Sequence, residues 1–132
     1  MIVVDTNILI YLWLPGDYTE QAEMLLEKDS HWVCPMLWRS EYRNVVTSFY
    51  RNGMLSYEDA VAVILNAEGQ MANAEYAVNS VEVMEKVKQS TCTAYDCEYV
   101  VLAEMLETRL ITNDKEILKC FPDIAVDMND FV

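Results

Sequence analysis

Residues 2–14 read Ile-Val-Val-Asp-Thr-Asn-Ile-Leu-Ile-Tyr-Leu-Trp-Leu, and this stretch decides the fold class. Its first three residues are β-branched and apolar, which is typical of a short buried strand. Asp5 and the two polar residues after it are good helix N-caps, so residues 8–14 predict an apolar helix that Pro15-Gly16 ends. A buried strand that runs directly into a helix is the repeating unit of α/β proteins.

The same alternation continues along the chain. Further strands are predicted at residues 31–34, 75–79, 110–112 and 124–126. Helices are predicted at residues 19–28 and 36–51, after Ser56, from Ser80 to residue 88, from Thr93 to residue 107, and after Asp114. We therefore predict an α/β sandwich with a five-stranded, mostly parallel sheet flanked by helices, in a single domain over residues 1–132.

Composition and charge exclude several classes of protein. With 53% hydrophobic residues, three Gly and three Pro, the chain is neither collagen-like nor intrinsically disordered. The net charge of −13 argues against tight binding of nucleic acid through a large basic surface. It does not exclude an enzyme of nucleic acids, because bound divalent cations can supply positive charge.

The distribution of apolar, basic and cysteine residues bears on location. Residues 8–14 form the longest apolar run, far short of the roughly 20 residues that a membrane span needs, and no Lys or Arg precedes Lys28. The four cysteines include no Cys-x-x-Cys pair, and the only histidine is His31. We interpret the cysteines as small buried residues and predict a reduced, cytoplasmic protein with no membrane association.

Two acids are expected at the same edge of the sheet. Asp5 follows the first predicted strand and Asp114 follows the fourth. In open α/β sheets, ligands bind beyond the carboxyl ends of the strands, which makes this pair a candidate site. The alternative is that both residues serve only as helix N-caps, a role that Asp fills well.

Glu41 and Asp96 interrupt the apolar faces of two predicted helices. The neighbours of Glu41 at three and four residues include Trp38 and Val45, and those of Asp96 include Tyr99 and Val100. A carboxylate on an inward face is costly unless it is paired, hydrogen-bonded or bound to a cation. The alternative is that each carboxylate lies at the edge of the apolar face of its helix and reaches water. Glu98 lies across its helix from Asp96 and is interpreted as a solvated surface charge.

Four carboxylates without partner histidines form an all-oxygen donor set. Such a set suits Mg²⁺ or Mn²⁺ and disfavours zinc or copper. The chemistry that uses it is displacement at phosphorus, in which a bound ion activates water and stabilises charge on the phosphate.

The segments that carry these acids follow one another in order: Val4-Asp5-Thr6-Asn7-Ile8-Leu9, Ser40-Glu41-Tyr42-Arg43-Asn44-Val45, Tyr95-Asp96-Cys97-Glu98-Tyr99-Val100-Val101-Leu102-Ala103 and Leu110-Ile111-Thr112-Asn113-Asp114. Together they resemble the four acidic motifs of PIN-domain ribonucleases, and within that family the VapC-type toxins of type II toxin–antitoxin systems. The similarity extends from Ile2 to the last predicted strand.

This resemblance implies a PIN-like sandwich and Mg²⁺- or Mn²⁺-dependent cleavage of single-stranded RNA. It also implies a homodimer that a cognate antitoxin holds inactive. The residues that match the catalytic and metal-binding acids of the family are Asp5, Glu41, Asp96 and Asp114. Thr112 and Asn7 match supporting polar residues beside that site.

Other functions stay open from the sequence. A non-catalytic PIN-fold binding module would keep the fold without the activity. A Mg²⁺-binding phosphoacceptor signalling domain would need an Asp ending a strand near residues 50–56, and a phosphatase with an Asp nucleophile would prefer Asp where Asn7 stands. Three arginines on one predicted helix indicate either RNA or partner contact or solvated charge: Arg39, Arg43 and Arg51.

Overall fold

The computed structural model describes residues 1–132 as strands that alternate with helices. The strands are β1 (Ile2–Val4), β2 (Trp32–Pro35), β3 (Glu75–Tyr76), β4 (Leu110–Thr112) and β5 (Ala125–Asp127). The helices are α1 (Thr6–Trp13), α2 (Thr19–Lys28), α3 (Trp38–Arg51), α4 (Tyr57–Gln70), α5 (Ser80–Lys88), α6 (Ala94–Met105), α7 (Lys115–Cys120) and α8 (Met128–Phe131).

The five strands form one sheet in the order β3-β2-β1-β4-β5, and every pairing is parallel. The predicted fold class, a five-stranded parallel α/β sandwich, is confirmed. After β1 the chain builds one side of the sheet with β2 and β3 and later returns to build the other side with β4 and β5. The carboxyl ends of β1 and β4 are therefore neighbours where the strand order reverses, the usual place for a ligand site in such sheets.

The core lies between this sheet and the helices on its two faces. All three residues of β1 are buried, as are Ile8 to Ile10 of α1 and Tyr99 to Ala103 of α6. This continuous apolar packing holds the start of α1 and the inward face of α6 against the centre of the sheet. Burial of whole strands on both faces is what a parallel sheet covered by helices requires.

Several local details differ from the prediction, including the short last helix α8, which was not predicted, and the end of α6 at Met105. The predicted strand at 75–79 is only two residues long, because Asn79 leaves it to cap α5 by accepting the N–H groups of Val81 and Glu82. The cap of α5 is therefore Asn79 and not Ser80. Helix α3 begins at Trp38, because the N–H of Met36 instead donates to the carbonyl of Tyr76 in β3.

No helix has the combination of length and apolarity that a bilayer crossing requires.

Candidate active site

Asp5 lies at the carboxyl end of the central strand with its carboxylate almost entirely buried. Its Oδ1 accepts the N–H of Thr6 at 2.8 Å, and its Oδ2 accepts the hydroxyl of Thr112 at 2.7 Å. Burial, together with the negative charges of Glu41 and Asp96, raises the pKa of Asp5 to about 6 despite these hydrogen bonds. A charged Asp5 is therefore costly in the absence of a cation.

Asp114 follows β4 and forms a hydrogen bond with Thr112, the same threonine that contacts Asp5. The N–H of Asp114 donates to Thr112 Oγ1 at 3.0 Å, so Thr112 connects the two acids. Asp114 also caps α7, because its Oδ1 accepts the N–H of Ile117 at 3.0 Å. Both Asp5 and Asp114 thus act as helix caps while their side chains lie at one edge of the sheet. The capping role uses only one carboxylate oxygen of Asp114.

Glu41 on α3 is held by two hydroxyl groups from other elements. Its Oε1 accepts the hydroxyl of Thr6 at 2.9 Å and that of Tyr99 at 2.6 Å, and these two hydroxyls also contact each other. Burial is the main cause of the raised pKa of Tyr99, so this phenol stays neutral and donates. Glu41 therefore points inward to a buried polar contact rather than out to water.

Thr6 and Tyr99 did not stand out as site residues in the sequence. Tyr99 lies one turn after Asp96 on the buried face of α6, and that spacing is the one signal that would have suggested it. Thr6 looked like one of several helix-capping candidates. Its neighbour Asn7 has an exposed side chain without a protein hydrogen bond.

Asp96 is half-buried in the first turn of α6, where its N–H donates to the capping hydroxyl of Thr93 at 3.1 Å. Burial, and then the charges of Asp114 and Glu41, raises the pKa of Asp96. The four acids thus influence one another: Asp96 interacts with Asp114, and both Asp5 and Asp96 interact with Glu41. We call the set formed by Asp5, Glu41, Asp96 and Asp114 the acidic edge.

Glu98 was interpreted as a solvated surface charge, and the structure corrects this. Its side chain is half-buried, and burial together with the charge of Glu41 raises the pKa of Glu98. Glu98 therefore adds negative charge beside the acidic edge.

The nearby arginines do not neutralise the acidic edge. Arg39 makes two hydrogen bonds to Glu75, at 2.6 and 2.8 Å, and a 3.3 Å ion pair with Glu68. Arg43 lies 3.7 Å from the same carboxylate of Glu68. No acid of the acidic edge forms an ion pair within 4.0 Å. The donor atoms there are all oxygen, which fits Mg²⁺ or Mn²⁺ and does not favour a soft metal.

The parallel sheet with an acidic edge defines the class of protein. A family model described as "PIN domain" matches residues 2–123, so the chain belongs to the PIN domain family and the resemblance seen in the four motifs is confirmed. The chain is 27% identical over 128 residues to Ribonuclease VapC3 of Pyrobaculum aerophilum, an alignment that covers 94% of this chain and 97% of that protein.

Solved structures share the fold at lower sequence identity. PAE2754 from Pyrobaculum aerophilum superposes with a TM-score of 0.77 at 18% identity, over 98% of this chain and 85% of that one. FitAcB from Neisseria gonorrhoeae gives 0.74 at 15% identity, over 96% of both chains. A toxin–antitoxin complex from Klebsiella pneumoniae gives 0.63 at 19% identity, over 97% of this chain and 98% of that one.

Proposed function

We propose that this protein is a metal-dependent endoribonuclease that cleaves single-stranded RNA and serves as the toxin of a toxin–antitoxin pair. Membership of the PIN domain family supports the proposal, as does the similarity to a protein named as a ribonuclease. In this proposal residues 1–132 act as one domain. The phosphoacceptor alternative finds no support, because residues 50–56 lie at the end of α3 and in the turn before α4 rather than after a strand.

The observation that carries the proposal is the unneutralised charge of the acidic edge. Burial, and then the negative charges of neighbouring acids in the set, raises the pKa of Asp5 and Asp96, and the adjacent arginines pair with other acids. Such an arrangement destabilises the charged side chains unless a cation binds among them. Clustered carboxylates at the carboxyl end of a parallel sheet therefore favour a divalent-ion site over a purely structural role.

The residues of the acidic edge have two proposed roles. Asp5, Asp96 and Asp114 would hold Mg²⁺ or Mn²⁺, directly or through water, and Glu41 would ligate the ion or orient the attacking water. A bound divalent ion supplies a water of lowered pKa and stabilises the charge that builds on the scissile phosphate. The expected products carry a 5′-phosphate and a 3′-hydroxyl.

Neighbouring hydroxyl groups hold two of these carboxylates in position. Thr112 fixes Oδ2 of Asp5 while its own oxygen receives the N–H of Asp114, so one side chain sets the positions of two acids. Thr6 and Tyr99 both donate to Oε1 of Glu41, which leaves Oε2 without a protein hydrogen bond. We propose that Oε2 either accepts a proton from the attacking water or orients that water.

The proposal includes two protein partners and a cytoplasmic location. Structures similar to this chain include a toxin–antitoxin complex, which supports a cognate antitoxin. The exposed large apolar side chains include Tyr57 and Leu65 on α4, and Val81, Met84 and Tyr95 on α5 and α6. Exposed apolar side chains on these helices suit a protein that forms a homodimer and also binds an antitoxin.

The proposed activity is tested with a pool of single-stranded RNA and three proteins: wild type, Asp96→Asn and Asp17→Asn. Asp17 is exposed in the loop between α1 and α2, so its variant makes the same chemical change away from the site. Wild type and Asp17→Asn should cleave RNA with Mg²⁺ or Mn²⁺, and Asp96→Asn should lose most of the cleavage activity. Equal activity of wild type and Asp96→Asn, or full activity in excess EDTA, overturns the assignment.

A further inference from the structure

Outside the acidic edge, a second group of ligand atoms converges between the turn before α6 and helix α7. The Sγ atoms of Cys92 and Cys120 and a carboxylate oxygen of Glu116 all lie within 4.8 Å of one another. The thiol of Cys120 donates a hydrogen bond to Oε1 of Glu116, with an S-to-O distance of 3.7 Å. We call these three residues the thiol cluster. In the structure they form a tighter group of ligand atoms than the acids of the acidic edge do.

Local structure brings the three side chains together. Glu116 and Cys120 are four residues apart on α7, which places them on one face of that helix. Cys92 is buried just before the α6 cap Thr93, whereas Cys120 is half-buried and Glu116 is exposed. The hydroxyl of Thr91 donates to Glu116 and lies 3.7 Å from Sγ of Cys120, so it faces the same group. The cluster is thus closed at Cys92 and open to solvent at Glu116.

The distance between Cys120 and Glu116 matches the distance between neighbouring ligand atoms of a tetrahedral metal site. With Zn–S bonds of about 2.3 Å and Zn–O bonds of about 2.0–2.2 Å, neighbouring ligand atoms of tetrahedral zinc lie roughly 3.5–3.8 Å apart. The 3.7 Å distance between Cys120 and Glu116 falls in that range. The third ligand atom, Sγ of Cys92, lies within 4.8 Å of both.

We propose that Cys92, Glu116 and Cys120 bind Zn²⁺, with water at the fourth position. Two thiolates and one carboxylate select zinc over Mg²⁺ or Mn²⁺, because soft sulfur ligands are poor partners for hard cations. Binding releases the thiol protons and leaves a thiolate pair whose charge the ion neutralises. The site uses none of the residues of the acidic edge.

The position of the proposed zinc site links it to the rest of the molecule. Cys92 immediately precedes the cap of the helix that carries Asp96, and Glu116 lies in the first turn of the helix that Asp114 caps. An ion held by both segments would tie together two elements of the acidic edge. Its presence should therefore raise the stability of the whole chain, whether or not the protein cleaves RNA.

The first test uses Co²⁺ as a spectroscopic substitute for zinc on the reduced protein, with excess Mg²⁺ present to compete at the carboxylates. One equivalent of Co²⁺ should produce the thiolate-to-cobalt charge-transfer absorption, and Zn²⁺ should then abolish it. The variant Cys120→Ala should lose the band, and Cys97→Ala should keep it, because Cys97 is a buried thiol outside the thiol cluster. Absence of the band in wild type, or its survival in Cys120→Ala, overturns the proposal.

The second test measures Zn²⁺ affinity by competition with a chromophoric chelator and does not depend on activity. Glu116→Gln changes an exposed side chain and should leave the fold intact. Loss of a partner outside the ligand shell already weakens metal sites about 10–100-fold, so loss of this ligand should weaken Zn²⁺ binding by roughly a hundredfold or more. Unchanged affinity in Glu116→Gln removes this residue from the site and contradicts the proposed ligand set. Failure of RNA cleavage would leave both measurements unaffected.

Discussion

The hydroxyl of Tyr99 donates a 2.6 Å hydrogen bond to Oε1 of Glu41 and so joins α6 to α3 across 58 positions of sequence. Tyr99 is fully buried, and its phenol would be costly to leave without a partner. The same carboxylate oxygen accepts the hydroxyl of Thr6, which begins α1. Three helices therefore meet at one oxygen of Glu41, and this contact fixes the direction of its other oxygen.

We expect Tyr99→Phe to separate positioning from folding. A hydrogen bond to a charged group contributes about 1.5–3 kcal/mol, so this variant should lose roughly that much unfolding free energy. In a Glu41→Ala background the same change should cost less, and a double-mutant cycle of chemical denaturation measures the difference. Cleavage should show a lower kcat with little change in KM, because Tyr99 acts through Glu41 and does not contact RNA.

The control for this cycle is Tyr95→Phe, which changes an exposed tyrosine on the same helix. It should alter neither stability nor kcat. If the Tyr99→Phe cost is the same with and without Glu41, the hydrogen bond contributes nothing measurable and the positioning role is wrong.

Mn²⁺ should distinguish a metal site from a set of helix caps. Wild type should gain about 2.7 kcal/mol of stability when Mn²⁺ is at a hundredfold excess over its dissociation constant, and Asp96→Asn should gain much less. In EDTA, Asp96→Asn should be as stable as wild type or more stable, because burial and nearby charges raise the pKa of Asp96. Thermal melts of both proteins with and without Mn²⁺ check this. A structural Asp96 predicts the opposite: a destabilised variant and a wild type that does not respond to Mn²⁺.

The raised pKa of Asp5 predicts a specific pH dependence. Because the pKa rises from 3.8 to about 6 on folding, the neutral form stabilises the native state, and this contribution is lost as pH rises through about 6. A shift of about two units corresponds to roughly 3 kcal/mol. In EDTA, Asp5→Asn should therefore be more stable than wild type near neutral pH by up to that amount, and the difference should vanish as pH falls below the unfolded value of 3.8, at about pH 3.

Urea denaturation of the wild type, Asp5→Asn and the exposed control Asp17→Asn at both pH values measures these differences. The Asp17→Asn variant should follow wild type throughout. A constant difference between Asp5→Asn and wild type across this range would show that hydrogen-bond geometry, and not charge, decides the effect.

The acidic edge should also accept a cation from a protein. An Arg or Lys of an inhibitory antitoxin can pair with carboxylates that have no partner within the chain. Co-expression with the product of the neighbouring small open reading frame, followed by pull-down and light scattering, should yield a homodimer of this chain bound by that partner. Asp96→Asn should weaken the complex, whereas Asp17→Asn should not. Absence of any complex at micromolar concentration would count against the toxin role.

Local patterns in the sequence determined most of the secondary structure. Residues 2–14 predicted the strand and helix that the structure shows, and the caps Ser56, Thr93 and Asp114 lie where their residue types indicated. These features depend on contacts within a few residues, such as capping hydrogen bonds and the spacing of apolar side chains. The four acids were identified from the same information because helix periodicity and strand ends place them, although their roles stay predictions.

Only the tertiary structure decided which distant side chains meet. The strand order brings the ends of β1 and β4 together, and helix packing places Thr6 and Tyr99 against Glu41, 35 and 58 residues away. Cys92 and Cys120 showed no metal-binding spacing in the sequence, yet the approach of α7 to the turn before α6 unites them. The physical reason is that such contacts depend on how whole helices pack on the sheet. The local sequence preferences of one segment do not indicate which distant segment it will contact.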